Sequence, residues 1–394
     1  MTETNRRLFL GALALGAGGL AAPAFASEDD GHAAGYDVAP ASKFQPLIAR
    51  KPGDPVVFTA SLDQAPIKAT SGGWAREMTA RGLPISTGMA GAHLFLNPGG
   101  SREMHWHNSA EWAYVVGGHC QVTALDAAGT VETVNLGPGD LWFFPRGHAH
   151  AIQTLGGEPC HAILAFDDGL YGEHGTFGLS DWMSRFEDDH LARAFGVSKE
   201  ELPQHPKGET YIMQGEPVAL DGPQAKAARA LDPSASHRYP LMASGPLVNG
   251  LGGTLHIASA REFPLSATMT GMVLRLKPGA MHQHHWHPNA NEWLYLLNGH
   301  ARVTLFAQDK RMATAELAAG DCAYLPRGCG HSVHNIGGEP CEVVGALDSG
   351  EYQEISLASW LAKAPTHLIA NNLGAAEASL GAIRKPASVI TDPV

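Results

Sequence analysis

The chain has 394 residues, of which 44% are hydrophobic and 17% charged, a composition typical of a soluble globular protein with two domains of ordinary size. Its formal net charge of −12 at pH 7 argues against nucleic acid or an anionic membrane as a partner. An anionic substrate would therefore have to be captured by local positive charge, from a metal ion or an arginine.

The first 26 residues have the features of an export signal. Arg6 and Arg7 precede an apolar run to about Ala22, and small residues then flank a cleavage point at Ala26. The paired arginines favour a twin-arginine signal, so we expect export to the periplasm or the medium with no membrane anchor in the mature form. An ordinary secretory signal or an N-terminal anchor is the alternative.

Short apolar runs separated by Gly, Pro and Asn or Asp fill the chain between residues 55 and 166. Many short strands at even spacing indicate a barrel or jelly roll. The runs predicted as strands are 92–96, 111–116, 121–125, 141–144 and 161–166.

A Gly-rich polar stretch follows, residues 167–178, which we predict to be a loop. A helix is predicted next, from Asp181 to about Phe195, with Ser180 as its N-cap. Strands resume at about residue 253, and the chain closes with helices near 357–373.

The sequence repeats itself at a spacing of about 180 residues. His105 corresponds to His285, 180 positions later, and His150 corresponds to His331, 181 positions later. A repeat of this length is an internal duplication of a whole domain rather than an array of short units.

Each copy contains a candidate set of metal ligands. In His105-Trp106-His107 the two imidazoles lie on one face of a strand, because residues i and i+2 point the same way. Glu111 can reach back to them, and His150 can join from a second strand after a Pro/Gly turn. Three imidazoles and a carboxylate suit Mn, Fe, Ni or Co, with Zn possible, and leave coordination positions open. The two predicted sets are His105, His107, Glu111 and His150, and His285, His287, Glu292 and His331.

Two charged residues near the first set are candidates for chemistry. Arg102 lies three residues before His105, so a flat strand would send it to the opposite face, whereas a bend would make it an anion clamp. Glu173, in the Gly-rich loop, could be a general acid or base on a mobile lid. From the residues alone, a solvated side chain is the alternative for both, and it is favoured for Glu173.

Both copies fit the two cupin motifs, Gly-x5-His-x-His-x3/4-Glu-x6-Gly and Gly-x5-Pro-x-Gly-x-x-His. Longer matches resemble the oxalate decarboxylases, which are two-barrel cupins. These matches are at residues 102–107, 111–114, 139–145, 166–169, 285–289 and 323–326.

The resemblance implies a manganese ion in each barrel, with dioxygen as a co-catalyst that is not consumed overall. It also implies conversion of oxalate to formate and carbon dioxide. Arg102 would hold oxalate and Glu173 would relay the proton.

The chain departs from the family pattern in both barrels. The family flanks its lid glutamate with Ser and Asn, whereas here the flanking residues are Gly172 and His174. In the second copy His282 replaces an arginine and Gly345 replaces a glutamate. We therefore predict that the chemistry takes place in the N-terminal barrel.

Three alternatives accompany the decarboxylase interpretation. A loosely closing lid would favour oxalate oxidase activity, which yields carbon dioxide and hydrogen peroxide. A cupin dioxygenase acting on a larger substrate and a non-catalytic metal-binding bicupin are the others. Homo-oligomers are possible, because family members tend to form them.

The sequence thus predicts an all-β protein of two tandem cupin jelly-roll barrels with a few peripheral helices. The predicted segments are a signal (1–26), a flexible lead-in (27–54), the first cupin domain with its lid loop and helical segment (55–202), a linker (203–250), the second cupin domain with closing helices (251–374) and a tail (375–394).

Overall fold

The structure, a computed structural model, describes residues 55–308, 311–383 and 388–393, with the side chains of Glu173 and His174 excepted. The predicted signal and lead-in, residues 1–54, lie outside the described residues. Most of the described chain forms two β-barrels, which confirms the all-β, two-barrel prediction. Within the described part, no helix is long and apolar enough to cross a membrane.

The strands of the N-terminal half include all five that the sequence predicted. In chain order they are β1 (Thr59–Ser61), β2 (Ile67–Thr70), β3 (Gly73–Met78), β4 (Ala90–Leu96), β5 (Gly100–His107), β6 (Glu111–Gly117), β7 (His119–Leu125), β8 (Val131–Leu136), β9 (Leu141–Phe144), β10 (Ala149–Leu155), β11 (Cys160–Phe166), β12 (Thr176–Gly178), β13 (Ile212–Gln214) and β14 (Arg238–Tyr239). The first barrel has one sheet in the order β14-β9-β6-β11-β4-β3-β2 and a second in the order β12-β5-β10-β7-β8, with β13 also paired to β5.

The C-terminal half repeats this arrangement. Its strands are β15 (Val248–Gly250), β16 (Gly253–Ala258), β17 (Thr270–Leu276), β18 (Met281–Trp286), β19 (Glu292–Asn298), β20 (His300–Phe306), β21 (Met312–Ala318), β22 (Asp321–Leu325), β23 (Gly330–Asn335), β24 (Cys341–Leu347) and β25 (Ile355–Ser356). Its sheets run β1-β22-β19-β24-β17-β16-β15 and β21-β20-β23-β18-β25.

The burial pattern along each strand shows which of its faces are packed. Strand β8 alternates buried and less buried residues, as expected where only one face of a strand packs on a core. Strands β6, β9 and β11 are buried almost continuously. One face of these strands lines the first barrel and the other packs against the second barrel, so both faces select apolar side chains.

Short strands tie the two halves together. Strand β1 precedes the first barrel in the chain but pairs with β22 of the second. The segment predicted as a linker, residues 203–250, supplies β13 to β5 and β14 to β9. Near the C-terminus, Ile390 forms a bridge to His282 in the second barrel, in the way that Ile212 pairs with Arg102 in the first. The predicted domain boundaries stay predictions, but these segments pack directly on the barrels.

The helices lie outside the barrels, as expected. They are α1 (Tyr171–His174), α2 (Leu179–Ser184), α3 (Asp188–Phe195), α4 (Pro223–Lys226), α5 (Leu357–Lys363) and α6 (Thr366–Leu373), with single 3-10 turns at Leu62–Gln64 and Glu377–Ser379. The single helix predicted for residues 181–195 was wrong, because the chain breaks between α2 and α3. Ser180 does not cap it: Gly178 is the N-cap of α2, and the Ser180 hydroxyl donates to Glu103 Oε2 at 2.6 Å.

The contact between the barrels is built from two related Trp–Gly pairs. Trp112 of the first barrel lies against Gly271 of the second, and Trp293 of the second lies against Gly91 of the first. Both indoles are almost fully buried. A Cβ atom at Gly91 would lie 1.9 Å from the Trp293 ring, and one at Gly271 would lie 2.0 Å from Trp112 Nε1. These glycines are therefore needed so that the indoles can approach the opposite sheet.

We predict that Gly91→Ala lowers the free energy of unfolding by about 1–3 kcal/mol, because the indole of Trp293 must move out of a packed interface. Denaturant unfolding measures this change. Gly157→Ala is the matched control, since a Cβ atom there meets no atom within 4 Å. Equal stability of the two variants would contradict the proposed packing.

Candidate metal centres

The first candidate centre is built on β5 and completed by β6 and β10. His105 and His107 point inward and are buried, while Trp106 between them is partly exposed on the outer face. His150 on β10 lies directly opposite His105 in the strand register. Glu111 opens β6 after a short turn. The structure thus brings together all four ligands predicted for the first barrel.

The ligand atoms of these four residues converge on one point. All of them lie within 4.8 Å of one another, and the residues are at most 4% exposed. Glu111 Oε2 lies 3.5 Å from His107 Nδ1 and 3.6 Å from His150 Nε2. The other oxygen of Glu111 accepts a hydrogen bond from Trp142 Nε1 at 2.8 Å, which fixes the carboxylate plane.

Backbone carbonyls orient two of the imidazoles. His105 Nδ1 bonds the Glu103 carbonyl oxygen at 2.6 Å, and His150 Nδ1 bonds the His148 carbonyl oxygen at 2.9 Å. Each Nδ1 therefore carries the proton, and each Nε2 is left as a lone-pair donor that faces the centre. Phe144 stacks on the His150 ring at a centroid distance of 3.9 Å and limits its rotation.

Burial keeps the imidazoles of His105 and His107 neutral. Desolvation, reinforced by the nearby charge of Arg102, holds the pKa of His105 well below its usual value. Desolvation likewise lowers the pKa of His107 to about 3. Burial alone would raise the pKa of Glu111, but its contacts with His150 and His107 outweigh this and lower it. Neutral imidazoles beside an ionised carboxylate are the protonation state that binds a metal.

The second candidate centre repeats the first on β18, β19 and β23. His285 lies opposite His331 in the strand register, as His105 lies opposite His150. Glu292 Oε2 lies 2.9 Å from His331 Nε2 and 3.4 Å from His287 Nε2. The structure therefore also brings together the four ligands predicted for the second barrel.

Unpartnered buried atoms show that these residues fit a metal ion. Four buried atoms of the second centre have no hydrogen-bond partner: the Nε2 atoms of His285, His287 and His331, and Oε2 of Glu292. In the first centre, His150 Nε2 also has no hydrogen-bond partner. Leaving such atoms unpaired costs about 1–3 kcal/mol each, and a cation shared among them removes that cost. Three nitrogens and one oxygen suit a divalent ion with open positions, such as manganese.

A β-bulge places Arg102 on the same side as the ligands. In the pairing of β10 with β5, His150 lies opposite His105 and Ile152 lies opposite Arg102. Two steps along β10 therefore correspond to three steps along β5. The extra residue reverses the side on which Arg102 points. Arg102 is 6% exposed and lines the cavity above the first centre. Of the two orientations that the sequence left open, the structure shows the inward one.

The cavity above the first centre has a volume of about 220 Å³ and a wall of mixed polar and apolar side chains. Besides His105, His107 and Glu111, its polar lining comprises Lys68, Glu77, Arg102, Tyr171, Thr176, Glu209 and Tyr211. The volume lies below the ~300–1,000 Å³ of pockets for drug-sized ligands, so the cavity suits a small ligand.

The second centre differs on the side where Arg102 lies in the first. His282 occupies the place of Arg102, and its ring stacks on His285 at 4.0 Å. His282 Nε2 lies 3.2 Å from Glu354 Oε2, which also accepts the Tyr352 hydroxyl at 2.5 Å. A carboxylate of the chain itself therefore occupies this side of the second centre.

Sequence reasoning missed several residues of the two sites. Tyr171 and Glu173 recur as Tyr352 and Glu354 after 181 residues, and this repeat could have pointed to Glu354. Glu173 itself lies in α1 beside the first centre, but its side chain is outside the described part. No pattern in the sequence pointed to Tyr211, which enters the first cavity from the predicted linker.

Comparison with known proteins agrees with this geometry. The family model for cupins matches residues 59–202 and 240–379. Oxalate decarboxylase OxdC of Bacillus subtilis is 39% identical over 308 residues, which cover 77% of this chain and 78% of that protein. A probable oxalate decarboxylase of Arthroderma benhamiae is 34% identical over 304 residues, with 76% and 74% covered.

Solved structures of oxalate decarboxylases also match this chain. The structure of oxalate decarboxylase from Bacillus subtilis at pH 4.6 superimposes with a TM-score of 0.80 at 35% identity, covering 87% of this chain and 89% of that one. Another structure, from a study of the Mn(II) centres of the Bacillus subtilis enzyme, has the same TM-score and identity. These relatives favour decarboxylase over the oxidase alternative. The chain belongs to the cupin family and, within it, to the two-barrel oxalate decarboxylases.

Proposed function

We propose that the protein is a manganese-dependent oxalate decarboxylase that converts oxalate to formate and carbon dioxide in its N-terminal barrel. One observation carries this assignment: a buried set of three imidazoles and a carboxylate opens into a small cavity that also contains an inward arginine. The relatives with this fold are named oxalate decarboxylases, and one was studied for its Mn(II) centres. The reaction is C₂O₄²⁻ + H⁺ → HCO₂⁻ + CO₂.

The residues of the first cavity are arranged to bind a small dianion. Glu111 brings one negative charge to the centre, and the imidazoles bring none, so a divalent ion keeps a net positive charge there. Arg102 adds a planar fork of donors at the wall. This local positive charge captures oxalate against the net charge of −12. Manganese, when bound, supplies Lewis acidity and one-electron redox chemistry.

The proton of the reaction is assigned to Glu173 on α1. This role comes from the resemblance of the lid loop to that of the family, and it is supported by the position of α1 beside the cavity, which Tyr171 and Gly172 help to line. A carboxylic acid in this place can give a proton to the one-carbon fragment after carbon dioxide has left. Because α1 lines the cavity, it also keeps water out on that side.

The second centre holds its manganese without turning over oxalate. The Glu354 carboxylate is already paired with His282 and Tyr352. The positions that correspond to Lys68 and Glu77 of the first cavity are Val248 and Ile257. We therefore assign this ion a structural or electron-transfer role.

Export and self-association belong to the same proposal. The twin-arginine pattern at Arg6 and Arg7 supports delivery of a folded, metal-loaded protein to the periplasm or the medium. Exposed aromatic side chains on the outer helices, among them Trp182 and Trp360, support a homo-oligomer.

The direct test is incubation of the manganese-loaded protein with oxalate, with formate, carbon dioxide and hydrogen peroxide all counted. We expect formate and carbon dioxide in equal amounts and little peroxide. Carbon dioxide and peroxide without formate would identify an oxidase, and no turnover would leave only a metal-binding protein.

Arg102→Lys should lower kcat/KM for oxalate by roughly 10- to 100-fold, because a point charge cannot replace the two-pronged donor geometry of the guanidinium. The manganese content should stay at the wild-type level, since Arg102 is not a ligand. Arg146→Lys is the matched control, because Arg146 is exposed and forms an ion pair with Asp167 at 2.8 Å. Unchanged kinetics for Arg102→Lys would remove this residue from the substrate site.

A further inference from the structure

Glu77 on β3 lines the first cavity, and the proposed reaction assigns it no task. Two tyrosines, Tyr171 and Tyr211, line the same cavity beside it, and the negative charge of its carboxylate adds to burial in raising the pKa of both hydroxyls. These tyrosines come from different parts of the chain. Tyr171 begins α1, and Tyr211 comes from the segment that joins the barrels. Glu77 therefore connects the cavity wall to two elements that are separate in sequence.

The first of these contacts fixes α1. Tyr171 is 4% exposed, and its ring stacks on Phe166 at a centroid distance of 3.5 Å. A Cβ atom at Gly172 would lie 2.6 Å from Glu77 Oε2, so the carboxylate lies directly against the helical turn. Glu173 is the next residue. The carboxylate of Glu77 thus holds the turn that carries the proposed proton donor.

The second contact fixes Arg102. The Tyr211 carbonyl oxygen accepts a hydrogen bond from Arg102 Nη1 at 2.9 Å, and the guanidinium lies 4.3 Å from the Tyr211 ring centre. Tyr211 has φ of +60°, the one positive value for a non-glycine residue in the described ranges. Such a conformation persists only where the surroundings hold it. The two contacts with Arg102 are among these restraints, and Tyr211 lines the same cavity as Glu77.

The second barrel lacks this bridge. Ile257 occupies the position of Glu77, opposite Met272 as Glu77 is opposite Ala92. Val389 replaces Tyr211, since its carbonyl oxygen accepts the Gln283 N–H as the Tyr211 carbonyl accepts the Glu103 N–H. The bridging carboxylate is therefore specific to the barrel to which we assign the chemistry.

We propose that Glu77 is a positioning residue that holds α1 and Arg102 in fixed relation, and so determines whether the one-carbon fragment is protonated or oxidised. This inference rests on the proposed function. Protonation gives C₂O₄²⁻ + H⁺ → HCO₂⁻ + CO₂. Oxidation by dioxygen gives C₂O₄²⁻ + O₂ + 2H⁺ → 2CO₂ + H₂O₂. A turn released from Glu77 spends more time away from the cavity, which delays proton delivery and admits solvent and dioxygen.

The test is the ratio of peroxide to formate produced by manganese-loaded Glu77→Gln, with kcat, KM and metal content measured on the same sample. We expect the ratio to rise by about 10-fold, the effect of losing a hydrogen bond to a charged group, with manganese content unchanged. A purely structural role for Glu77 would lower activity without moving the product ratio. Glu158→Gln removes one charge from an exposed turn of the same barrel and should leave the ratio at the wild-type value.

Tyr211→Phe provides a second variant, because it keeps the ring beneath Arg102 and removes only the hydroxyl, whose pKa the Glu77 charge helps to raise. We expect the ratio to rise in the same direction by a smaller factor. Wild-type formate production with unchanged ratios in both variants would overturn the role of Glu77 alone. Absence of formate from the wild type would overturn the proposed function, and this inference with it.

Discussion

The structure depends on one constraint, the burial of polar ligand atoms that the chain itself does not satisfy. Each barrel folds four buried ligand side chains inward around a single point. In the second barrel, four of these atoms have no hydrogen-bond partner, which costs about 1–3 kcal/mol for each atom unless something else binds it. A shared cation satisfies all of them at once. The strand pairing that opposes His105 to His150, and His285 to His331, makes this convergence a direct result of the sheet register.

The two barrels use the same scaffold for different electrostatic surroundings. The bulge that turns Arg102 into the first cavity recurs in the second barrel, where it turns His282 inward. In the first barrel the inward residue is an arginine whose fork faces a cavity with space for a dianion. In the second barrel the inward residue is paired with Glu354. A few substitutions on a duplicated fold thus give the two centres different charged neighbours.

The sequence was sufficient to predict the barrels and both ligand sets, because two-residue periodicity and the long repeat are local and strong signals. It could not decide the direction of Arg102, since the β-bulge depends on how β5 pairs with β10. It also missed β1 and β13, which have three residues each and pair with strands distant in the chain. Strands of three residues cannot show the two-residue alternation of apolar and polar side chains by which a strand is predicted. Tyr211 was missed for the same reason, and the break between α2 and α3 leaves no Gly or Pro that would mark it.

The central claim is that oxalate reacts at the first centre and that the second centre only holds its ion. The most direct measurement compares two double variants, His105→Ala/His107→Ala and His285→Ala/His287→Ala, by bound manganese per chain and formate produced per bound ion. We predict that each variant loses the ion of the altered barrel, and that formate appears only when the first centre is intact. Formate production by a protein that retains only the second centre would contradict the account.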